Sequence, residues 1–466
     1  MQALLCVALC LAVTAFGAVP PAALALVGIM ASVLLVSAVL RFGPPEIGGG
    51  IFSLVIVVVG VTCLWILVQN RLPVAWSYAV VPDARFAQNA NFLSVAPADS
   101  LYSILYLTVP ALFFLTAMSI LRTSGDARKF VAFLGYGGAA NAVYGIVQYF
   151  QFPETSLFVE KLAYTDSVTA TFINRNSAAT FLGITLLVLS RSLWSLSRRV
   201  NWSEFLHNGF QVNSDERKVL FFLACNVILT VITAVALMLT RSRGGVLSSL
   251  ISLGILAILL RGRGGSRRQP DASICRAPNN RRYFATIFSC LAAILCLVLV
   301  FGSQVLRRAM IQGTSEGRLC VMPDIINLVS NHWLGYGFGN FRFAFAPYRN
   351  ASCGLNFVWD RAHNLYFEGL GGLGLMFVPL AATVITALIA VYVSGIRRHS
   401  SGRSYAILGI SSLVLVSVHG FVDFSMQIPG IACFVASLVG ATTLISLQSG
   451  SDRMRVKRVR VRSSEM

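Results

Sequence analysis

The residues of this chain that could do chemistry gather in a few short runs. Thr171-Phe-Ile-Asn-Arg-Asn-Ser177 places Asn174, Arg175 and Asn176 just before a long apolar stretch. If that stretch is a helix, its N-terminus favours anions through free N–H groups and the macrodipole. A polar cap with a snorkelling arginine is the plainer alternative. Thr240-Arg-Ser-Arg-Gly-Gly245 sets Arg241 and Arg243 in a turn between two apolar stretches. Guanidinium forks match phosphate oxygens two at a time, and the paired glycines allow a tight turn or close approach to a ligand. The same pair could instead lie on lipid headgroups. Gly317-Arg318 opens an amphipathic stretch carrying Leu319, Val321, Met322, Ile325, Ile326 and Val329. It reads as a helix along a membrane surface, with Arg318 either facing an anion or serving as an ordinary surface charge.

Three further runs follow. Leu334-Gly-Tyr-Gly-Phe-Gly-Asn-Phe341 alternates glycine with aromatics, and Tyr336 and Asn340 could close over a flat ligand or simply build a structural turn. Asp360-Arg-Ala-His-Asn-Leu-Tyr366 contains His363, flanked by Arg361 and Asn364. A histidine can serve as general base or as a hydrogen-bond donor near neutral pH; a satisfied structural histidine is the alternative. In His419-Gly-Phe-Val-Asp-Phe424 the spacing puts His419 and Asp423 on one helix face, as a proton-sharing pair or as a polar clamp. Arg175, Arg241, Arg243, Arg318, Arg342, Arg349 and Arg361 with His363 would suit a multiply charged anion such as a pyrophosphate. Fixed arginines can stabilise a pyrophosphate leaving group, and a histidine can activate an acceptor hydroxyl. No metal-ligand spacing is present, so neither a metal nor a cofactor is expected. Gly369-Leu-Gly-Gly-Leu-Gly374 fits a dinucleotide pattern, but it leads into an apolar stretch and follows no strand, so it is discounted.

What must position these groups is read from composition. The chain has 466 residues, 37 Lys+Arg against 18 Asp+Glu, a formal charge of +19, and only 12% charged residues. The hydrophobic share is 56% and the mean hydropathy +0.73. An ordinary soluble domain is about a quarter charged, so a water-soluble enzyme, a disordered chain and a fibrous repeat are all excluded. Membrane spans need about 20 apolar residues, and about twelve such runs occur, near 2–18, 20–40, 51–69, 101–121, 130–150, 176–195, 219–240, 244–260, 284–302, 373–394, 405–422 and 428–447. Short loops rich in Lys and Arg stay in the cytoplasm. Arg122, Arg128 and Lys129, then Arg198, Arg199, Arg217 and Lys218, the arginines of 261–282, Arg397, Arg398 and Arg403, and the basic tail all fit one side of an alternating path. Both termini then lie in the cytoplasm, and every run described above lies on the opposite face. The first apolar run is expected to be retained; it could be a cleaved signal peptide, but it lacks a positive leading region. The chain divides into 1–302 with nine spans, a long loop over 303–372 on the face opposite the cytoplasm, three more spans over 373–447, and a tail from 448 to 466. Cys320 and Cys353 fall together in the long loop, the oxidising side, and either form a disulfide or remain two buried thiols.

The runs TATFINRNSAATFLG, TRSRGG, GR with NHWLGYGFGNF, AHNLYFEGLGGLGL and HGFVDFSMQIPG, in this order, with LSVAPADS ahead of them, resemble the O-antigen ligase/polymerase superfamily of bacterial membrane glycosyltransferases. The resemblance covers about residues 90–460. It implies an all-α polytopic membrane protein of about twelve transmembrane helices with a large, partly helical periplasmic loop, in the bacterial inner membrane. It implies transfer of a glycan from an undecaprenyl-pyrophosphate carrier to a sugar hydroxyl, without metal and with inversion. By the same resemblance Arg241 or Arg243 and Arg318 hold the pyrophosphate and His363 activates the acceptor, while Asn174, Arg175, Asn176, Tyr336, Asn340, Arg361, Asn364, His419 and Asp423 are expected to bind substrate. Ser177 and Trp333 depart from residues common in relatives, His and Pro respectively. The acceptor stays open between lipid A-core, as in lipopolysaccharide biosynthesis, and another carrier-linked repeat of O-antigen or exopolysaccharide. A transporter of a small anion or lipid-linked glycan is the other class, but polar groups gathered at one face favour surface chemistry over a mid-membrane path.

Overall fold

A computed structural model describes residues 1–73, 92–200, 214–262, 317–353, 359–398 and 401–464. Among these the chain is almost wholly helical, an all-α polytopic membrane protein. In hydrocarbon every backbone N–H and C=O must find a partner within its own segment, and the helix provides this. The order is α1 (Gln2–Thr14), α2 (Pro21–Phe42), α3 (Gly49–Gln69), α4 (Pro97–Ile120), α5 (Ser124–Gln151), α6 (Arg175–Ser197), α7 (Ser214–Leu239), α8 (Arg243–Arg261), α9 (Gly317–Asn331), α10 (Phe341–Phe345), α11 (Leu365–Leu373), α12 (Phe377–Arg398), α13 (Arg403–Gly420) and α14 (Pro429–Ser464). Among the described residues ten helical stretches are long and apolar enough to span a membrane, with α11 and α12 forming one stretch over Leu365–Arg398. The expected span at 284–302 lies outside the described residues.

The first expected span is corrected. Residues 2–18 do not form a full crossing: α1 is 13 residues long, about 20 Å at 1.5 Å per residue, against a hydrocarbon core of about 30 Å. The chain turns at Gly17, whose φ is +67°. Leu5, Ala8 and Ala12 are fully buried. Thr171 Oγ1 donates to the Val13 carbonyl at 3.0 Å, satisfying one of the carbonyls that a helix C-terminus leaves open.

Small residues let the spans close on one another, since apolar side chains alone gain little by leaving lipid for protein. A Cβ on Gly135 would meet Val188 at 2.9 Å, and one on Gly440 would meet the Phe114 carbonyl at 3.0 Å. The other faces of α2 and α3 keep Ile29, Val33, Ile56 and Leu64 exposed, as lipid-facing residues would be.

The bundle has two unlike ends. At one, basic side chains close helix termini: Arg122 donates to the carbonyl of Phe42 at 2.6 Å and Arg403 to that of Leu259 at 2.7 Å, while Arg128 donates to the Ser401 carbonyl in the turn before α13 at 3.3 Å. Cations at helix C-termini complement the negative end of the macrodipole. At the other end lie the turns after α3, α5, α7 and α13 and the segment from α9 to α11. There Thr155–Ser156 and Val159–Glu160 form a two-stranded antiparallel pair. The segment 317–373 has its own small core of Val321, Ile325, Leu328, Tyr336, Phe341, Phe345 and Ala362. The apolar face of α9 buries Val321, Ile325 and Leu328 in this core, while Ile326 stays exposed. Cys320 and Cys353 are joined by a disulfide with Cα atoms 5.6 Å apart, inside the range such bridges need.

Candidate functional site

At the end of the bundle opposite the basic caps, three sequence runs meet through one asparagine. Asn174 caps α6 by accepting from the N–H of Asn176 at 2.7 Å. Asn176, the second residue of that helix, accepts from Ser242 Oγ at 2.8 Å and donates from Nδ2 to Asp423 Oδ1 at 2.9 Å. Ser242 in turn caps α8 by accepting from the N–H of Gly245 at 3.2 Å. Ser425 Oγ donates to the other oxygen of Asp423. One helix turn below, Thr180 Oγ1 and His419 Nδ1 share a hydrogen bond of 2.6 Å. His419 and Asp423 do not share a helix face as their spacing suggested, because α13 ends at Gly420 and Asp423 lies beyond it; through Thr180 and Asn176 they clamp this end of α13 to α6. The glycines of the Arg-Ser-Arg-Gly-Gly turn are needed for closeness: a Cβ on Gly244 would sit 3.3 Å from the His419 ring, and one on Gly245 would strike Ala179.

This framework fixes the turn that carries Arg241. Its backbone is left-handed, with φ of +54°, a conformation that costs a residue with a side chain about 1 kcal/mol or more. Arg241 Nη1 reaches Asp166 at 2.6 Å, and Nη2 donates to the Tyr149 hydroxyl at 3.2 Å. Arg243 opens α8. Arg175 stands over the Tyr164 ring, 5.2 Å from its centroid. Nearby Lys161 donates to the Ser167 carbonyl at 3.3 Å; burial pushes its pKa down, and Asp166 opposes that shift.

His363 comes from the other side of the same end. It also has a left-handed backbone, with φ of +51°. Its ring packs edge-on against Phe424, 4.9 Å between centroids, and against Trp359 at 5.7 Å. Phe424 follows Asp423, so contacts run without a break from the Arg241 turn through Ser242, Asn176 and Asp423 to His363. Asn364 caps α11, accepting from the N–H groups of Tyr366 and Phe367, and its Nδ2 donates to the Phe421 carbonyl at 2.8 Å. Arg361 lies 3.8 Å from the buried Glu368, whose other oxygen accepts from the N–H of Ala362 at 2.8 Å. Glu368 thus pins both residues of the Arg361–Ala362 peptide, a role the sequence reading missed.

Tyr336 and Asn340 are buried inside the loop. Asn340 Nδ2 is shared between Ser94 and Ser100, each at 3.0 Å, which ties the LSVAPADS run to the glycine-aromatic run. The Tyr336 N–H donates to Gly371 O at 2.8 Å, and its ring covers that glycine. Burial, with Glu368 nearby, holds the Tyr336 phenol well above its usual pKa. Gln69 Nε2 donates to the carbonyls of Leu334 and Gly372 at 2.9 and 3.0 Å. The discounted glycine run therefore does have a purpose: Gly371, Gly372 and Gly374 let two loop backbones touch. Arg318 is the second residue of α9; its side chain lies outside the described residues.

Between these groups opens a cavity of about 520 Å³. Asn174, Ser177 and Arg361 line it among the sequence candidates and their neighbours, together with Arg342, Asp99, Asp360, Tyr102, Tyr106, Tyr164 and, from the N-terminal turn, Phe16. Arg241, His363 and Asn176 do not line it; Asn176 and His363 adjoin it through Asn174 and Phe424. Tyr102 and Tyr106 were hidden in the sequence by the apolar span that carries them; only their four-residue spacing, a single face of α4, could have marked them. Among the described residues no group of histidine, cysteine and carboxylate side chains is arranged to hold a metal.

Residues 228–377 match the family model for O-antigen ligase. The match is to less than half of the chain, and over those residues the chain is similar to O-antigen ligases. The match runs from within α7 through α8, α9, α10 and α11, and so takes in Arg241, Arg243, Arg318 and His363. No curated protein matches the chain.

Proposed function

We propose that this protein is a membrane glycosyltransferase that moves a glycan from an undecaprenyl-pyrophosphate carrier to a sugar hydroxyl. The observation that carries the proposal is convergence. Runs as far as 247 residues apart in sequence are joined at one end of the bundle. Four of them line one cavity, through Asn174, Gly339, Arg361 and Phe424, and the Arg241 turn is tied to these by the framework that runs through Ser242, Asn176 and Asp423 to His363. The family match supports lipid-linked glycan as the substrate class and the membrane as the setting. With the basic caps in the cytoplasm, the cavity opens on the periplasmic side of the inner membrane.

In this reading the arginines bind and stabilise the pyrophosphate. Charge that builds on the leaving oxygen is met by donors already in place, so little reorganisation is needed at the moment of transfer. Arg241 is aimed by Asp166 and Tyr149, and Arg318, the second residue of α9, is assigned the other guanidinium. His363 takes the proton of the acceptor hydroxyl, which attacks the anomeric carbon from the face opposite the leaving pyrophosphate, so configuration inverts. The test is transfer in membrane vesicles supplied with carrier-linked glycan. Arg241→Ala and Arg318→Ala should each lower transfer by two orders of magnitude or more, with protein levels and melting temperature kept. Full activity in both would overturn the proposal. Single unpolymerised repeats accumulating in a deletion strain would mark a polymerase; long chains that never reach lipid A-core would mark a ligase.

A further inference from the structure

We propose that the cavity beside the arginine turn is a subsite for a neutral sugar ring, separate from the groups that hold pyrophosphate, with Tyr102 and Tyr106 as its aromatic wall. The inference rests on the glycosyltransferase reading and adds to it which residues recognise the sugar.

The cavity's charges argue first. Its lining brings two carboxyl side chains, Asp99 and Asp360, together with two guanidinium groups, Arg342 and Arg361. Their formal charges cancel, so the cavity has no net pull on a bare pyrophosphate. Arg241 is absent from the lining and is directed to Asp166 and Tyr149 instead. What such a mixed lining suits is a ligand dense in hydroxyl groups, each of which both donates and accepts.

The aromatic wall argues second. Tyr102 and Tyr106 stand one turn apart on α4, ring centroids 5.7 Å apart and nearly perpendicular. Tyr106 has Arg361 at 5.8 Å from its centroid. In a span otherwise facing protein or lipid, both tyrosines line the cavity, with Tyr106 resting against the apolar core behind it. Rings present flat apolar area with a polar edge, as the C–H face and hydroxyl rim of a sugar require. The volume of about 520 Å³ lies within the range of about 300–1,000 Å³ usual for small-ligand sites. The backbone maintains this space: Gly339 lies so close to Ser103 that a side chain there would collide with it, keeping the loop against the α4 turn that bears both tyrosines.

Binding of three probes to the full-length protein in nanodiscs tests this. The probes are undecaprenyl pyrophosphate, the same carrier bearing the cell's own glycan, and that glycan released by mild acid. Wild type should bind the glycosylated carrier about tenfold more tightly than the bare one. Tyr106→Leu and Asp99→Asn should bring that ratio close to one and leave binding of the bare carrier intact, which also reports folding. Tyr106→Phe should keep the ratio. Preference for the glycosylated carrier assigns the subsite to the donor sugar. Free glycan that binds wild type but not Tyr106→Leu, with no such preference, assigns it to the acceptor sugar. An unaltered ratio in the Tyr106→Leu and Asp99→Asn variants, or no sugar-dependent binding at all, overturns the subsite and leaves the carrier reading standing. Wild type that binds neither carrier overturns both.

Discussion

Exchanging the two ends of the Asn176–Asp423 hydrogen bond is the most telling perturbation of the site framework. Asn176 Nδ2 donates to Asp423 Oδ1 at 2.9 Å, and both residues are at least nine-tenths buried. Asn176→Asp keeps the acceptor for Ser242 but sets two carboxyl groups face to face. A buried hydrogen bond to a charged group contributes about 1.5–3 kcal/mol. Two like charges at 2.9 Å repel by roughly 6 kcal/mol at an effective dielectric of about 20; a shared proton relieves part of this. The single variant should therefore lose about 3–5 kcal/mol, and glycan transfer with it, because Ser242 and Phe424 both shift. Asp423→Asn, which sets two amides together but introduces no charge, should lose about 1–3 kcal/mol. The double variant, Asn176→Asp with Asp423→Asn, reverses the bond. The carboxylate now at position 176 accepts from the amide now at position 423, whose carbonyl still accepts from Ser425. It should regain most of the stability and part of the transfer. The assay is a double-mutant cycle of chemical or thermal unfolding in detergent, read beside vesicle transfer. If the double variant is no more stable than Asn176→Asp alone, or if that single variant is as stable as wild type, the framework argument is wrong.

Other outcomes follow from the same geometry. His363→Ala should reduce turnover by two orders of magnitude or more with carrier binding changed less than threefold, read by single-turnover kinetics beside a binding isotherm. Gly371→Ala should lower stability by about 1–3 kcal/mol through overpacking, since its Cβ would lie 2.5 Å from Tyr336 Cε1; thermal melts check this. Cys320→Ser with Cys353→Ser, or reduction, should loosen the segment from α9 to α11, raising protease cleavage there at unchanged insertion of the spans.

Hydropathy made the spans legible because lipid demands long apolar helices whatever their partners are. The order of the motifs was legible too, and so was the end of the bundle at which they gather, because the basic loops alternate with them. What hydropathy could not show is orientation within a span. Tyr102 and Tyr106 lay within the expected span over 101–121, and Glu368, in the loop just ahead of the span expected at 373, carried no spacing signal, although it anchors Arg361 and Ala362. Asp166 and Tyr149, which aim Arg241, come from a different turn and a different helix, and nothing in spacing joins them to it. The short first helix looked like a crossing because its apolar run continues through the Gly17 turn. The glycine run at 369–374 was set aside as a false dinucleotide pattern; its function is close contact between backbones, which composition alone does not reveal.

The positions of left-handed backbone give the framework its meaning. Among the described residues seven non-glycine positions have positive φ, and four of them are Phe16, Tyr164, Arg241 and His363. Phe16 and Tyr164 line the cavity, and the other two are the residues proposed to hold the pyrophosphate and to take the proton. Each such position costs about 1–3 kcal/mol and persists only where its surroundings over-determine it. Here the surroundings are the caps and buried amides: Asn174, Ser242 and Asn364 cap three helices beside the cavity, and Asn176 ties two of them to Asp423. Catalysis by placed charges needs groups held to within about half an ångström before substrate arrives. A loop fixed only by its own contacts would not meet that demand. Helix ends locked by side-chain caps do, which is why polar residues too buried to reach a ligand are found so close to the site.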